Sequence, residues 1–343
     1  MANVYVLYTG GTFGMRPDGP AANSPLRPME LERLRKALDR QHQEAGAMSV
    51  TLDSLDPVLD SASMRPGDWL TIAGRIARHY AQYDGFVIIH GTDSLAYTAS
   101  ALSFLFENLA KPVVLTGAQR PMMQNGSDAP ENYRTALRLA AHSAFQLPCV
   151  PEVIVAFGGK IMRGCRTRKL SASAFDGFHS PNFPLLGEVA GKIRLYPDRL
   201  LPAPTHDAPF RAENRINPNV LDIAITPALR PEQLSHMLVM DSVEGIVLRT
   251  YGAGTAPDHE AFAEALSTGL AGGKPAIAVS QCDHAMVDFD LYAVSKSLRA
   301  AGVIPGRDLT PEAALAKLMV LLPHHSGDAL RERLSTSLRG EQF

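Results

Sequence analysis

Short apolar runs alternate along the first half of the chain with segments in which apolar residues recur at helical spacing. The runs are apolar on both faces, as is typical of buried parallel strands, and cover residues 4–8, 86–89, 113–115 and 153–157. The helical patterns between and after them cover residues 69–80, 101–109 and 131–145. Strand–helix alternation of this kind predicts an α/β layer with a mainly parallel sheet.

The same alternation returns after a segment rich in proline and polar residues. Strands are predicted at 221–225, 245–248 and 276–279, and helices at 259–268, 291–300, 311–322 and 328–339. Thr310 and Pro311 are favoured residues for the N-cap and first position of a helix. We therefore expect two α/β domains: a larger N-terminal catalytic domain (1–188), an interdomain linker (189–218) and a smaller C-terminal domain (219–343).

Composition and charge exclude several classes of protein. The chain has 343 residues, with 33 Lys plus Arg against 35 Asp plus Glu, so the net charge is −2. This balance argues against a broadly basic nucleic-acid binder. No apolar stretch approaches the roughly 18 residues of a membrane span, and the N-terminus lacks the charged region of a signal peptide. The three cysteines are widely spaced and odd in number, which indicates reduced thiols and no zinc site. We expect a cytoplasmic protein.

Three predicted strands of the first half run directly into a loop in which a glycine adjoins a threonine. The resulting loops are Thr9-Gly10-Gly11-Thr12, His90-Gly91-Thr92-Asp93-Ser94 and Thr116-Gly117-Ala118. In a parallel sheet these loops emerge at the same carboxyl edge, where open α/β sheets bind ligands. Any one of them alone is explained as a tight turn with a capping threonine, but three together favour a site. The spacing is neither that of a dinucleotide-binding loop nor that of a P-loop, and no G-x-S-x-G nucleophile elbow is present.

Two of these loops carry a family resemblance. Thr9-Gly10-Gly11-Thr12-Phe13-Gly14-Met15 and His90-Gly91-Thr92-Asp93-Ser94 resemble the paired motifs of the bacterial L-asparaginase family. The similarity extends over nearly the whole chain, through Leu248-Arg249-Thr250-Tyr251-Gly252 to Leu338-Arg339-Gly340-Glu341, and is greatest to the cytoplasmic, type I branch.

The resemblance implies hydrolysis of asparagine to aspartate and ammonia, with no metal and no cofactor. Thr12 matches the nucleophile, and Thr92, Asp93 and Lys169 match a second catalytic group. Lys169 is placed by the motif Arg163-Gly164-x-Arg166-Thr167-x-Lys169. The residues that the resemblance implies for substrate binding are Gly11, Ser61, Thr92, Asp93, Ala118 and Thr255. Among them, Asp93 matches the carboxylate that holds the substrate ammonium, Ser61 the residue that holds its α-carboxylate, and Ala118 a residue with backbone contacts.

These residue types suit amide hydrolysis. A threonine hydroxyl is a weak nucleophile until a base takes its proton. A lysine becomes a base where burial and neighbours favour its neutral form. Glycine-rich backbone at strand ends supplies donors for a developing oxyanion.

The chain departs from the family pattern at three places. The family carries a tyrosine in the mobile loop after the first threonine, and residues 15–29 contain none. Thr255 stands where an asparagine usually reaches into a neighbouring subunit's site, and Arg168 replaces a small residue beside Lys169. The family implies a homo-oligomer, dimer or tetramer, with sites near the subunit interface. Because some cytoplasmic members bind a second, regulatory asparagine near this position, the change at Arg168 leaves it undecided whether this chain has such a site.

Two other functions remain compatible with these residues. One is a related amidase that prefers glutamine, D-asparagine or another small amide. The other is a catalytically slow amino-acid-binding protein on the same fold. A tRNA-dependent amidotransferase subunit is less favoured, because the chain shows no appended tRNA-facing module and no net basic charge.

Overall fold

The computed structural model describes residues 1–19, 24–45, 48–205, 207–292 and 295–343. The chain divides into two compact units, Met1–Asn214 and Arg215–Phe343. Each unit has its own sheet and its own hydrophobic core, which confirms the α/β class predicted from the sequence.

The first unit is built on an eight-stranded sheet. The described strands of this unit are β1 (Ala2–Gly10), β2 (Met15–Pro17), β3 (Leu26–Pro28), β4 (Met48–Leu59), β5 (Gly85–Ile89), β6 (Phe106–Glu107), β7 (Val113–Thr116), β8 (Val153–Phe157), β9 (Lys160–Arg163), β10 (Arg168–Lys169), β11 (Phe178–His179), β12 (Gly187–Ala190), β13 (Lys192–Leu195) and β14 (Arg211–Ala212). The order in the large sheet is β13-β12-β9-β8-β7-β5-β1-β4. The five strands from β8 to β4 are parallel, and β9, β12 and β13 add an antiparallel flank.

The helices of the first unit are α1 (Leu31–Ala45), α2 (Pro66–His79), α3 (Leu95–Leu105) and α4 (Ala129–Ala140). The inner strands β5, β7 and β8 are buried along their whole length, as their uniform apolar composition predicts. Edge strand β4 is only partly buried, and its mixed sequence explains why no apolar run indicated it. Helix α1 was missed for a similar reason, because charged residues dominate it.

The segment 189–218, expected as a linker, contributes strands to the first unit. Strand β13 lies at the edge of the large sheet, and β14 pairs antiparallel with β6. The chain therefore crosses the surface of the first unit in hydrogen-bonded contact with it before the second unit begins at Arg215.

The second unit has a four-stranded parallel sheet, ordered β15 (Val220–Ala224), β16 (Gly245–Thr250), β17 (Ala276–Ser280) and β18 (Ile304–Pro305). Its described helices are α5 (Pro231–Val239), α6 (Glu260–Leu270), α7 (Lys296–Ala300), α8 (Pro311–Leu321) and α9 (Gly327–Ser335). The Thr310 hydroxyl accepts from Ala313 N at 3.1 Å, so the predicted N-cap of α8 is confirmed. Part of the helix predicted at 291–300 falls on residues 293–294, outside the described residues.

A buried ion pair ties the end of the chain to this unit. The Lys317 ammonium lies 2.7 Å from Glu341, with both side chains fully buried, and also donates to Leu334 O and Thr336 O. Glu341 accepts from the backbone of Leu338 and Arg339. Burial alone would raise the pKa of Glu341, but the Lys317 charge and these hydrogen bonds hold the pKa below its usual value.

Replacing Glu341 with glutamine should destabilise the protein, because it leaves the Lys317 charge buried without its counter-ion. Loss of one partner of a buried pair typically costs about 3–5 kcal/mol. Urea unfolding of Glu341→Gln measures this cost, with the exposed Glu332→Gln as the matched control, expected within ~0.5 kcal/mol of wild type. Because the folded pKa of Glu341 is depressed, its contribution should be full above the unfolded value of 4.5 and lost as pH falls through the folded value. An equally stable variant would contradict this role.

Candidate active site

The carboxyl ends of β1, β5 and β7 lie side by side at one edge of the large sheet. Thr9, next to last in β1, and Thr116, which ends β7, are fully buried. The Thr9 hydroxyl donates to Ile89 O at 3.0 Å, and the Thr116 hydroxyl donates to Ala156 O at 2.8 Å. The hydroxyls of Thr9 and Thr116 therefore link neighbouring strands. The residues that follow the glycines of these loops are the ones that can form a site.

Two of the loops approach each other through glycine. Gly11 has a φ of +85°, and a Cβ atom there would lie 2.3 Å from the Cα of Gly91. A Cβ atom on Gly91 would lie 2.4 Å from the Ser61 hydroxyl oxygen. Only glycine allows this approach. Thr12, which begins a 3₁₀ turn to Gly14, and Thr92 each follow directly after one of these two glycines.

Lys169 joins the Thr92 loop from a distant part of the chain. Its ammonium donates to the Thr92 hydroxyl at 2.9 Å and to Asp93 Oδ1 at 2.6 Å. The Lys169 side chain is 21% exposed, whereas that of Asp93 is 62% exposed. The lysine is therefore held in place within the fold, and the carboxylate of Asp93 keeps access to solvent.

Ser61 lies beside Gly91 and Asp93. It follows β4 in a short 3₁₀ turn that Asp60 caps, since Asp60 accepts from Ala62 N at 3.0 Å. The Ser61 hydroxyl accepts from the Asp93 amide at 3.3 Å, and Ser61 O accepts from the Ser94 hydroxyl at 2.6 Å. The structure thus brings together Gly11, Ser61, Thr92, Asp93 and Lys169.

Lys169 is positioned by a buried basic segment. Arg163 lies 2.6 Å from Glu152, with both side chains almost fully buried, and it also donates to Arg199 O at 2.8 Å. Arg166 is buried as well, and the Thr167 hydroxyl donates to Arg163 O at 2.8 Å. The basic loop that leads to Lys169 is therefore an internal support. Its partner Glu152 was missed because nothing in the local sequence distinguishes it.

The loop that carries Ala118 is held by two side chains of the α4 region. Asn132 donates to Gly117 O at 3.1 Å and accepts from Gly158 N at 3.0 Å. Asp128 accepts from the backbone amides of Gln119 and Arg120. The backbone on both sides of Ala118 is thereby fixed, and sequence reasoning missed both side chains because their partners are main-chain atoms.

Thr255 belongs to the second unit. It lies in a tight turn after β16, where its amide donates to Tyr251 O at 3.0 Å and the two residues form an isolated β-bridge. At the tip of the loop after Thr12, residues 20–23 lie outside the described residues.

Neither a metal centre nor a membrane helix is found in the described part of the chain. No group of three or more His, Cys, Asp and Glu side chains there could hold a metal ion. No described helix combines the length and hydrophobicity that a bilayer crossing requires.

The fold and the side chains at its edge define a class of protein: a two-unit α/β protein that presents hydroxyl, ammonium and carboxylate groups suited to hydrolysis. Residues 3–201 match the family described as "Asparaginase, N-terminal", and residues 219–333 match "Glutaminase/Asparaginase C-terminal domain". The chain belongs to the asparaginase family.

Full-length relatives support this assignment. The chain is 38% identical over 342 residues to "L-asparaginase 1" of Escherichia coli strain K12, covering 99% of this chain and 97% of that one. The crystal structure of L-asparaginase I from Vibrio cholerae has a TM-score of 0.87 and 37% identity, covering 100% of this chain and 99% of that one. The structure of the "Probable Cytoplasmic L-asparaginase" of Campylobacter jejuni has a TM-score of 0.79 and 28% identity, covering 98% of this chain and all of that one.

Adding a methyl group at Gly11 should disrupt the edge of the sheet. Gly11→Ala combines a positive φ with a clash against Gly91 backbone, which cannot rotate away as a side chain would. Overpacking of this kind costs about 1–3 kcal/mol of unfolding free energy. Gly74→Ala is the matched control, because Gly74 lies in α2 with nothing within 4 Å of the added atom. It should stabilise by about 0.5–1 kcal/mol. Equal unfolding free energies for the two variants would contradict the close approach.

Proposed function

We propose that this protein hydrolyses L-asparagine to L-aspartate and ammonia. The observation that carries the proposal is the contact of Lys169 with both Thr92 and Asp93, next to the Gly11–Gly91 approach from which Thr12 emerges. The names of the E. coli and V. cholerae relatives support asparagine as the substrate. The reaction needs water as its second reactant and no cofactor.

The chemistry proceeds in two balanced steps. The Thr12 oxygen attacks the side-chain amide carbon, a C–O bond forms, and the C–N bond breaks as the nitrogen leaves with a proton as ammonia. Water then attacks the resulting ester, which releases aspartate and returns the proton to Thr12. Backbone amides of the glycine-rich loops stabilise the oxyanion in each step. Thr92, Lys169 and Asp93 form a chain of donors and acceptors through which a proton is passed.

The substrate's charges suit the side chains around this centre. Asp93 uses one carboxylate oxygen for Lys169 and remains largely exposed, so it is available for the substrate ammonium. The Ser61 hydroxyl binds the α-carboxylate, and the backbone at Ala118 contacts the side-chain amide. Gly11 contributes main-chain contacts on the opposite side. A charge-assisted contact at each end of a small zwitterion fixes its orientation.

The proposal includes a homo-oligomer, dimer or tetramer, in a cytoplasmic setting. In the subunit arrangement that the family resemblance implies, Thr255 of one chain reaches the site of its neighbour. Three free cysteines and the name of the C. jejuni relative are compatible with a reducing compartment.

Removing the Thr12 hydroxyl should abolish most of the activity, because no bond to the substrate carbon is then possible. Thr12→Ala should lose about 10²- to 10⁴-fold in kcat for ammonia release from asparagine. The matched control is Thr71→Ala, an exposed threonine of α2 whose hydroxyl bonds only to its own helix backbone, at Gly67 O. Near-normal turnover by Thr12→Ala would exclude Thr12 as the nucleophile.

Thr92 and Lys169 should behave as one unit. If a proton passes between them, Thr92→Val and Lys169→Met each break the same path, and the double variant loses little more than either single variant. The kcat values of the four proteins, wild type included, give the coupling directly. Losses that multiply in the double variant would show that the two side chains act independently.

Asparagine at position 255 should sharpen selectivity, since its longer amide reaches further than the threonine hydroxyl. One added hydrogen bond of about 1 kcal/mol corresponds to roughly a fivefold rise in the asparagine-to-glutamine ratio of kcat/KM for Thr255→Asn. An unchanged ratio, or an active monomer in sedimentation, would contradict a role for this residue in a neighbour's site.

A further inference from the structure

His90 is a fully buried histidine that directly follows β5 and has no part in the proposed chemistry. Its Nδ1 lies 2.7 Å from Gly91 O, and its Nε2 lies 2.9 Å from the Thr98 hydroxyl of α3. Burial lowers the pKa of His90 to about 4, although its bond to Gly91 opposes the shift. The imidazole is therefore neutral at physiological pH and carries one ring proton.

The partners of His90 decide where that proton lies. Gly91 O only accepts, so Nδ1 carries the proton and Nε2 is an acceptor. Trp69 Nε1 donates to the Thr98 hydroxyl at 3.0 Å, and an indole N–H cannot accept. The Thr98 hydroxyl therefore receives from Trp69 and donates to His90 Nε2. Trp69, Thr98 and His90 thus form a row of hydrogen bonds that ends at Gly91 O. A single arrangement of protons satisfies every side-chain polar atom in this row.

The bond from His90 restrains a glycine that adjoins Thr92. Gly91 has no side chain that could fix its orientation, since a Cβ atom there would lie 2.4 Å from the Ser61 hydroxyl oxygen and 3.1 Å from the Cα of Gly11. The Gly91–Thr92 peptide is trans, so its N–H points opposite to its carbonyl. Because buried His90 holds the Gly91 carbonyl, the Thr92 N–H is directed away from His90. The orientation of this peptide in turn fixes how Thr92 and Asp93 are presented to Lys169.

We propose that His90 is a positioning residue, which holds the Gly91–Thr92 peptide through Nδ1–H, and that Thr98 and Trp69 hold His90 in the tautomer that makes this bond. This inference rests on the proposed function only for its catalytic consequence. The tautomer and the peptide restraint are properties of the folded chain without substrate.

Thr98→Val tests the row without touching the substrate site. It keeps the shape of the side chain and removes the hydroxyl, so that Nε2 loses its donor and the Gly91 carbonyl alone is left to select the tautomer and orient the ring. We expect kcat for asparagine to fall on the order of 10- to 100-fold, as small misplacements of catalytic groups do, with KM changed less than about threefold. Thr98→Ser restores the hydroxyl and should recover most of kcat. Leu105→Ala, which opens a cavity in the same helix away from the row, controls for a loss of stability alone and should keep wild-type kcat.

Nitrogen-15 NMR of the imidazole provides a readout that does not depend on turnover. The wild type should show a protonated Nδ1 and an unprotonated Nε2, with no titration between pH 5.5 and 8. The Thr92 amide signal should move in Thr98→Val and return in Thr98→Ser. If the wild type did not hydrolyse asparagine, the proposed function would be wrong, and the His90 nitrogen and Thr92 amide signals would still test whether His90 restrains the Gly91–Thr92 peptide. A protonated Nε2, an unmoved Thr92 amide, or an active enzyme whose kcat is unchanged in Thr98→Val would overturn the inference.

Discussion

The backbone contact between Gly11 and Gly91 is the constraint on which the candidate site depends. Parallel strands separated by about 4.8 Å bring their carboxyl ends to one edge, but side chains on the first loop residues would hold the loops apart. Glycine at both positions removes that obstacle, and a Cβ atom on either would lie well inside contact distance of its neighbour. Thr12 and Thr92 each lie one residue beyond this contact.

The other side of the site depends on electrostatics within the first unit. Lys169 follows β9 in the short strand β10, which pairs with β11. The buried Arg163–Glu152 pair anchors the segment before it, and the bond from Arg163 to Arg199 O extends that anchor. Burying two charges carries a desolvation cost, and removing one partner destabilises a protein more than replacing both with apolar residues. The buried Arg163–Glu152 pair thus stabilises the segment that leads to Lys169.

The sequence predicted local features well and long-range contacts poorly. The strands before Gly10 and Gly91 were evident from apolar runs, and the α8 N-cap from Thr310 and Pro311, because these features depend on neighbours in the chain. The mixed edge strand β4 and the polar helix α1 gave no such pattern. The roles of Thr12 and Ser61 came from family resemblance and remain predictions. Lys169 and Thr92 are 77 positions apart, so no local pattern indicated their hydrogen bond, and only the family resemblance grouped the two residues.

The most direct measurement identifies the residue that becomes covalently modified. An asparagine analogue in which a diazomethyl ketone replaces the side-chain amide alkylates an activated hydroxyl: the diazo carbon takes up the hydroxyl proton, N₂ leaves, and a C–O bond forms at that carbon. Peptide mass spectrometry then locates the adduct. We expect one label per chain, on the Thr12 oxygen, and no label after Thr12→Ala. A label on Thr92, or equal labelling of the Thr12→Ala variant, would contradict the assignment of Thr12 as the nucleophile that the glycine contact places at the edge of the sheet.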